Sequence, residues 1–332
     1  MATNEQFQEF DGTNVLITGG LGFIGSNLAR RLLNLGAQVT LVDSLVPEYG
    51  GNRFNIDGIA DRVHVNISDV RDAYSLQNHV QGQNFLFNLA GQTSHLDSMT
   101  DPFTDLEINC RAQLSILEAC RKHNPALRVV FASTRQLYGK PERLPVDETH
   151  PLRPVDVNGI NKLAGEWYHI LYNNVHDIWA SALRLTNTYG PRMRIKDARQ
   201  TFVGVWIRCL LEGKPIEVWG GEQLRDFTYV DDCVDALLLA AIKPEARGKV
   251  FNLGGCEVVS LKQLAELMVK IHGGGNFLQR EFPADRKRID IGDYYADDKL
   301  IRTTLGWKPT IPLEDGLART FDYYRSHLKQ YL

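Results

Sequence analysis

The sequence predicts an α/β fold in which a doubly wound parallel sheet carries a smaller C-terminal lobe. Three observations lead to this prediction: short apolar segments alternate with helix-like segments in the first half, a glycine-rich turn follows the first apolar segment, and the second half has a different pattern. A strand, a helix and a further strand form a right-handed crossover, so the strands run parallel and helices cover both faces of the sheet.

Five buried strands are predicted in the first half of the chain. They are the segments NVLITGG, AQVTLVD, VHVNISD, NFLFNLAG and RVVFAS, several of which are rich in β-branched residues. The helix-like segment GSNLARRLLNLG follows the first of them and ends at Gly36, because glycine tolerates the left-handed conformation that often follows a helix.

Beyond Leu183 the pattern changes. Two amphipathic segments, QTFVGVWIRCLLEG and SLKQLAELMVKIHGGG, and a short strand, PIEVWG, are separated by turns and prolines. We therefore predict a first domain over residues 1–183, to which residues 226–255 return, and a smaller lobe formed by residues 184–225 and 256–332. No internal repeat or low-complexity segment interrupts this division.

Charge and composition exclude several classes of protein. The 37 basic and 40 acidic residues are mixed along the chain, so the sequence has no basic stripe for nucleic acid and no polybasic segment for a membrane surface. The five cysteines form no C-x-x-C pair and have no neighbouring histidine at metal-ligand spacing, so we expect no metal site and the reduced thiols of a cytoplasmic protein. The polar N-terminus lacks a secretory pattern, and no apolar segment is long enough to span a membrane.

A glycine-rich turn at the first strand–helix junction indicates a phosphate-binding site. Gly19, Gly22 and Gly25 have the spacing G-x-x-G-x-x-G, and Phe23 and Ile24 lie between the last two. Glycine is needed here because the turn is tight, the backbone approaches a pyrophosphate, and the helix packs close to the strand. The free N–H groups of the helix N-terminus then bind the anion, so all five residues are candidates for contact with a dinucleotide.

Asp43 indicates which dinucleotide is bound. It ends the second strand, in VTLVDSL, where a carboxylate can accept hydrogen bonds from both ribose hydroxyls and repels a 2′-phosphate. This arrangement favours NAD over NADP. The alternative is a plain glycine turn followed by a solvent-facing aspartate.

Seven separated motifs give the chain a family resemblance. They are TGGLGFIG, NLAG, FASTRQLYG, NGINK, RLTNTYGP, RDFTYVDD and LGWKP, and their order and spacing extend from Val15 to Gly316. In these motifs the chain resembles the extended short-chain dehydrogenase/reductases that act on nucleotide sugars. The resemblance implies a seven-stranded Rossmann-type domain that holds NAD and a C-terminal lobe that binds a nucleoside-diphosphate sugar. It also implies a homodimer formed through helices near residues 105–122 and 159–176.

The same resemblance implies roles for residues around the cofactor. Asp69 and Val70 are expected to flank the adenine. Ala90 and Gly91 are expected to line the cofactor, and Lys162 to hold the nicotinamide ribose.

In the smaller lobe the resemblance concerns the nucleotide sugar. Asn187 matches an asparagine that meets the diphosphate, and Arg225 matches an arginine that contacts the nucleotide. Arg288 is a further candidate phosphate partner, although Arg286 competes with it because the alignment is loose there. For Arg225 and Arg288 the alternative is an exposed surface charge.

The chain departs from the family at the residue that transfers the proton. In the family, a tyrosine four residues before the lysine removes a proton from a sugar hydroxyl while hydride passes to NAD. The lysine and the cationic nicotinamide lower the pKa of that phenol. Here Lys162 is kept, but the tyrosine is replaced by Asn158. An amide can orient a hydroxyl or a water but cannot act as a base.

Thr134 matches the Ser or Thr that hydrogen-bonds the reacting oxygen. The next two positions are Arg135 and Gln136, where the 4,6-dehydratases of the family carry an Asp–Glu acid/base pair. The usual elimination of the sugar 6-hydroxyl therefore lacks its acid and its base. Arg135 could instead stabilise a developing alkoxide by its charge.

Another residue must take the proton if the site is active. His95 is a candidate because it lies in the loop after the fourth strand, which faces the sugar in the family, and because histidine suits acid/base work at neutral pH. The alternative is an exposed polar residue. Asp97 is a weaker candidate, and Asp156 is expected to cap a helix instead.

Three functions are compatible with the sequence. The first is an NAD-dependent nucleotide-sugar epimerase that works without the phenol and returns the hydride to the other face of the sugar. The second is a protein that binds NAD and a nucleotide sugar without hydride chemistry. The third is an enzyme with altered chemistry, such as a dehydratase with different acid and base residues. An acidic sugar such as a uronate would suit the charge of Arg135 or Arg194.

Overall fold

Seven parallel strands form the central sheet of the computed structural model, which describes residues 4–283 and 289–332. The strands are β1 (Asn14–Thr18), β2 (Gln38–Asp43), β3 (Val63–Ile67), β4 (Phe85–Asn88), β5 (Arg128–Thr134), β6 (Ala180–Leu185) and β10 (Val250–Asn252). Their spatial order is β3-β2-β1-β4-β5-β6-β10. All five strands predicted in the first half lie in this sheet, so the predicted doubly wound fold is confirmed.

Helices pack on both faces of this sheet. The α-helices of the described ranges are α1 (Phe23–Asn34), α2 (Ala73–His79), α3 (His95–Thr100), α4 (Pro102–Leu106), α5 (Ala112–His123), α6 (Val157–His176), α7 (Phe202–Leu211), α8 (Val230–Ile242), α9 (Leu261–His272), α10 (Lys299–Leu305) and α11 (Leu313–His327). Ile17 of β1 packs in the apolar cluster that contains α1 and α8, whereas Leu16 packs in the cluster that contains α5, because successive strand side chains point to opposite faces. As predicted, α1 ends just before Gly36, which has a φ of +87°. In the described part of the chain no helix combines the length and apolar content that a membrane crossing requires.

Two small sheets lie outside the large one. β9 (Leu224–Tyr229) pairs with β7 (Asn187–Tyr189) and β11 (Val258–Ser260), and β8 (Ile216–Trp219) pairs with β12 (Phe277–Arg280). The chain returns to the large sheet from α8 onwards, since α8 packs on β5 and β6 and β10 extends the edge of the sheet. Residues 226–229, which we expected to return with this segment, belong instead to β9, whose backbone is paired with β7 and β11. The boundaries of the two lobes remain a prediction.

The strand order reverses between β1 and β4. The loops that follow these two strands therefore diverge and open a crevice at the carboxyl edge of the sheet. The loop after β1 contains the glycine turn, and the loop after β4 leads to His95 at the start of α3. The fold thus brings the predicted cofactor residues and the predicted catalytic histidine to the same edge.

A buried ion pair holds α6 against the sheet. Arg184 Nη2 of β6 lies 2.6 Å from Glu166 Oε1 of α6, and Arg184 Nε lies 3.0 Å from Oε2. Ser133 Oγ donates to Glu166 Oε2 at 2.6 Å, and Arg184 Nη1 donates to the Tyr138 hydroxyl at 2.6 Å. Because α6 carries two of the predicted site residues near its N-terminus, this pair also fixes part of the site.

Replacing Glu166 by Gln is expected to lower the free energy of unfolding by about 3–5 kcal/mol, because Arg184 would keep its charge in a buried place without a counter-ion. Urea unfolding followed by circular dichroism measures this change. Glu314→Gln is the control: it removes the exposed partner of Lys270 and is expected to change the free energy by less than about 0.5 kcal/mol. Equal unfolding midpoints for the two variants would contradict the structural role of the buried pair.

Candidate active site

A cavity of about 800 Å³ lies where the carboxyl edge of the large sheet meets the small sheets. The predicted site residues within the described ranges line this cavity, except for the weaker candidate Asp97 and for Arg194. These residues are Gly19, Gly22, Phe23, Ile24, Gly25, Asp43, Asp69, Val70, Ala90, His95, Thr134, Arg135, Asn158, Lys162, Asn187 and Arg225. Arg288 and its competitor Arg286 lie outside the described residues. Within the described ranges, no group of three or more His, Cys, Asp and Glu side chains is arranged to hold a metal ion.

The backbone of the glycine turn is packed too closely to accept a side chain. A Cβ atom on Gly25 would lie 2.3 Å from the carbonyl oxygen of Gly19, and Gly19 itself has a φ of +69°. Gly22 occupies the N-cap of α1 without a side chain to cap it, so the first N–H groups of the helix remain free to bind an anion. The turn therefore fits the pyrophosphate of a dinucleotide.

The carboxylate of Asp43 is held at the end of β2 by two backbone groups. Its Oδ2 accepts from the N–H of Leu21 at 3.0 Å, and its Oδ1 accepts from the N–H of Leu45 at 2.8 Å. Burial raises the pKa of Asp43, and these two hydrogen bonds oppose the rise. Each oxygen keeps a lone pair for a ribose hydroxyl, which fits NAD.

Asp69, Val70 and Ala90 form neighbouring parts of the cavity wall. The Asp69 carboxylate accepts from Arg71 Nη2 at 2.6 Å, and this hydrogen bond lowers the pKa of Asp69. Ala90 follows β4, and its N–H donates to Thr18 Oγ1 of β1 at 3.2 Å. The placement of Asp69 and Val70 beside the end of β2 agrees with the expected position of an adenine, whose contacts remain a prediction.

Asn158 is buried in the first turn of α6, with 3% of its surface exposed. Its Nδ2 donates to the carbonyl oxygen of Gln92 at 2.8 Å and to Asp105 Oδ2 at 3.0 Å. Its backbone N–H donates to Ser98 Oγ at 3.2 Å. The amide nitrogen is thus turned towards protein groups, and its Oδ1 accepts no hydrogen bond from a described residue, which leaves that oxygen for a ligand hydroxyl.

The partner that fixes Asn158 is the carboxylate of Asp105, which the sequence alone did not reveal. Asp105 is fully buried and accepts from Asn109 Nδ2 at 3.0 Å and from Asn161 Nδ2 at 2.8 Å, besides Asn158. It forms no ion pair with a described Lys, Arg or His. The available signal was the helical spacing of the polar residues, since Asp105 and Asn109 are four apart and Asn158 and Asn161 are three apart.

Lys162 lies one turn further along α6. Its Nζ donates to the carbonyl oxygen of Ala132 at 2.7 Å and lies 4.6 Å from the centre of the Phe131 ring. Burial lowers the pKa of Lys162 to about 8, and the charge of Asp105 opposes this effect. A Cβ atom on Gly91 would lie 3.3 Å from Nζ, so the ammonium faces the wall that is expected to hold the cofactor.

His95 and Asp156 form a pair beside Asn158. His95 Nδ1 lies 3.0 Å from Asp156 Oδ2. Asp156 also caps α6 through the N–H of Gly159 at 2.7 Å, which confirms the predicted cap, and it accepts from Gln136 Nε2 at 2.9 Å. Burial raises the pKa of Asp156, but the neighbouring His95 and the hydrogen bonds from Gly159 and Gln136 lower it by more, so that the pKa falls below its ordinary value.

Arginines line the part of the cavity formed by the small sheets. Arg135 Nη2 donates to Asn187 Oδ1 at 3.0 Å, and the guanidinium lies 5.2 Å from the centre of the Tyr294 ring. Asn187 Nδ2 donates to the backbone carbonyl of Asp226 at 3.0 Å, so a diphosphate would have to share or replace these bonds. Burial lowers the pKa of Arg225 to about 10, and the positive charge of Arg135 adds to this effect.

Comparison with known proteins places this geometry in a family. A sequence model of the NAD dependent epimerase/dehydratase family matches residues 15–254. The chain is 31% identical over 314 residues to a UDP-glucose 4-epimerase of Mycolicibacterium smegmatis, covering 94% of this chain and 98% of that protein. It is 31% identical over 324 residues to a dTDP-glucose 4,6-dehydratase of Streptomyces griseus, covering 95% of each.

The fold is also similar to that of a solved structure. The crystal structure of a UDP-glucose 4-epimerase from Thermotoga maritima with UDP-glucose superposes with a TM-score of 0.87 at 29% identity, covering 95% of this chain and 99% of that one. Both the sequence matches and this superposition extend over nearly the whole chain, so they include the glycine turn and the small sheets together. This protein is therefore an enzyme of the NAD dependent epimerase/dehydratase family, and its cofactor is NAD.

Proposed function

We propose that this protein is a cytoplasmic NAD-dependent nucleotide-sugar epimerase that works without a tyrosine base. In this reaction a sugar carbon is oxidised and its hydride is then returned to the opposite face, so that no external reductant is consumed. NAD accepts and returns this hydride. The observation that carries the proposal is that the glycine turn, Thr134 and Arg225 all line the same cavity. The proposed cofactor site and the proposed sugar site are therefore continuous.

Thr134, Asn158 and Arg135 are the residues that we expect around the reacting sugar oxygen. The Thr134 hydroxyl accepts from the N–H of Gln136 at 3.2 Å and keeps its own proton for a bond to that oxygen. The free carbonyl oxygen of Asn158 orients a sugar hydroxyl. Arg135 forms no ion pair with a described residue, so its charge stabilises negative charge that develops on the sugar.

The substrate that we propose is a nucleoside-diphosphate sugar. Arg135 and Arg225 bring two positive charges to one part of the cavity, which suits the diphosphate and its bidentate recognition. The relatives support this class, since they are named for reactions of UDP-glucose and dTDP-glucose. The roles of Asn187 and Arg288 in binding the diphosphate remain predictions.

Epimerisation is favoured over 4,6-dehydration because the two positions after Thr134 carry no carboxylic acid. Arg135 occupies the first of them, and Gln136 occupies the second. The side-chain nitrogen of Gln136 donates to Asp156 at 2.9 Å, so this amide has a structural partner. An elimination would need another acid and base in the same cavity.

We also propose that the protein forms a homodimer through α6 and the segment from α4 to α5. Ile160, Trp167 and Val175 lie on one side of α6 and are each more than half exposed, at 55%, 61% and 61%. Phe103 of the neighbouring α4 is 76% exposed. A monomer rarely exposes such a continuous apolar surface, and a second copy of the chain would cover it.

The proposed reaction is tested by proton NMR in heavy water with the NAD-loaded protein and a panel of UDP-, dTDP-, GDP- and CDP-sugars. We expect one of these sugars to give an epimer that contains no solvent deuterium on carbon, because the hydride returns internally. Incorporation of deuterium would instead show that a proton is removed from carbon, as in an elimination. Absence of any conversion while NAD stays bound would contradict the epimerase proposal.

An Asn158→Tyr variant extends this test to the missing base. We expect it to lower the native conversion at least about tenfold, because the larger ring removes the hydrogen bonds from Asn158 to Gln92 and Asp105 and leaves buried acceptors unsatisfied. Asn34→Tyr, at an exposed position on α1, is the matched control and is expected to retain activity. If Asn158→Tyr gains a conversion that the native protein lacks, the native site is inactive because it lacks the phenol, and Asn158 has no part in a native reaction.

The homodimer is tested by light scattering after Trp167→Glu, which places a charge in the centre of the proposed interface. We expect the mass to fall from that of two chains to that of one at micromolar concentration, because a buried unpaired charge opposes association. Tyr74→Glu is the control, since Tyr74 is 82% exposed on α2 and lies away from α6. A native protein that already has the mass of one chain would overturn the dimer.

A further inference from the structure

The remaining question at the site is which group moves the proton, because Asn158 cannot. We propose that His95, oriented by Asp156, is the acid/base residue that takes the proton from the reacting sugar hydroxyl and later returns it. This inference rests on the proposed epimerase function. His95 of α3 and Asp156 at the N-terminus of α6 would then carry out the proton transfer that the resemblance assigns to a tyrosine at position 158.

The first support is the geometry of the pair. His95 Nδ1 lies 3.0 Å from Asp156 Oδ2, and the Asp156 side chain has no exposed surface, whereas that of His95 is 38% exposed. We assign the proton of the neutral ring to Nδ1, because the carboxylate at 3.0 Å from this nitrogen favours a proton there, which leaves the lone pair on Nε2. His95 lines the cavity, and Nε2 is then the basic nitrogen of its ring.

The second support is that Asp156 cannot turn away from the histidine. Its Oδ1 accepts from the N–H of Gly159 at 2.7 Å, and its Oδ2 also accepts from Gln136 Nε2 at 2.9 Å. Both oxygens are therefore fixed by groups on α6 and on the turn after β5. The carboxylate orients His95 and offsets the positive charge that the ring acquires when it takes a proton, which makes Asp156 a positioning residue.

The third support is the place of the pair within the cavity. Gln136 is two residues after Thr134, and Asp156 is two residues before Asn158, so the histidine is tied to both segments that are expected to hold the reacting oxygen. Ser98, on the same helix as His95, accepts from the backbone N–H of Asn158 at 3.2 Å. The short helix α3 is thus anchored at the N-terminus of α6.

Other polar groups of the site are less suited to the task. Lys162 donates to the carbonyl oxygen of Ala132 at 2.7 Å and is held against the Phe131 ring. The Thr134 hydroxyl is too weak a base, and the amide of Asn158 neither ionises nor takes up a proton at neutral pH. Asp156 and Arg199 contact α3 directly: Asp156, the N-cap of α6, lies beside His95, and Arg199 pairs at 2.7 Å with Asp97. The helices packed against α3 also carry Lys162 and Glu166 on α6 and Asp105 on α4.

The proposed step is balanced. The neutral Nε2 takes the hydroxyl proton, the O–H bond breaks and a C=O bond forms as the hydride leaves the sugar carbon for the nicotinamide of NAD. The sugar is oxidised and the dinucleotide is reduced. In the return step the hydride enters the opposite face of the same carbon and the imidazolium gives its proton back to the oxygen, so the protein ends as it began.

The test compares NAD-loaded native protein with His95→Gln and Asp156→Asn, using whichever sugar the native protein converts. We expect His95→Gln to lower kcat by about 10²–10⁴ with KM changed less than about threefold, and to remove the acidic limb of the pH profile of kcat/KM. Asp156→Asn is expected to keep the cap of α6, since Asn caps as well as Asp, and to lower kcat at least about tenfold. His123→Gln, exposed at the end of α5, and Asp72→Asn, which caps α2, are the matched controls.

A second readout does not depend on turnover. Nitrogen-15 NMR of the imidazoles in the NAD-loaded protein should show the His95 ring with its proton on Nδ1, and this state should be lost in Asp156→Asn. If the native protein converts a sugar but His95→Gln does so within about threefold of its rate with the acidic limb unchanged, this inference is wrong and the epimerase function stands. If the native protein converts no sugar, both proposals fail together.

Discussion

The buried carboxylate of Asp105 is the group on which the geometry of this site depends. A buried carboxylate requires hydrogen-bond donors around it, and here the amides of Asn109, Asn158 and Asn161 donate to Asp105. These bonds tie α6 to α4 and the π-helical turn that follows it. Asn158 thus has a structural role besides any role towards a ligand, because it is one of the three amides that donate to this buried carboxylate.

The same network gives a physical reason for an amide at position 158, where the family resemblance of the sequence leads us to expect a tyrosine. The glycine turn, Asp43 and Lys162 line the cavity in which we propose that the dinucleotide binds. In the proposed mechanism Asn158 does not transfer the proton, and the residues at the N-terminus of α6 position another group for that task. Asp156 caps the helix and holds His95 with the same carboxylate, so the end of one helix supports both the fold and the proposed chemistry.

The sequence was informative wherever the physical cause is local. Runs of β-branched residues predicted five strands of the sheet, and Gly19 and Gly25 predicted a turn in which the contacts of a Cβ atom would be too close. The Asp105 network could be seen only in parts, because the sequence shows the spacing within each helix, whereas Asn158 and Asn161 are 53 and 56 residues from Asp105 along the chain. His95 and Asp156 were each noticed singly, but only the folded chain pairs them. The place of β9 in the small sheet was missed for the same reason, since pairing with β7 and β11 is not a local property.

The central claim is that a sugar carbon lends its hydride to NAD within this cavity and receives it back. The most direct measurement uses the converted nucleotide sugar with deuterium on the carbon whose configuration changes, incubated in ordinary water with the NAD-loaded protein. The account predicts that the epimer retains the deuterium on that same carbon, as mass spectrometry and NMR would show. Loss of the label to water would contradict it, because the hydrogen would then have left the carbon as a proton.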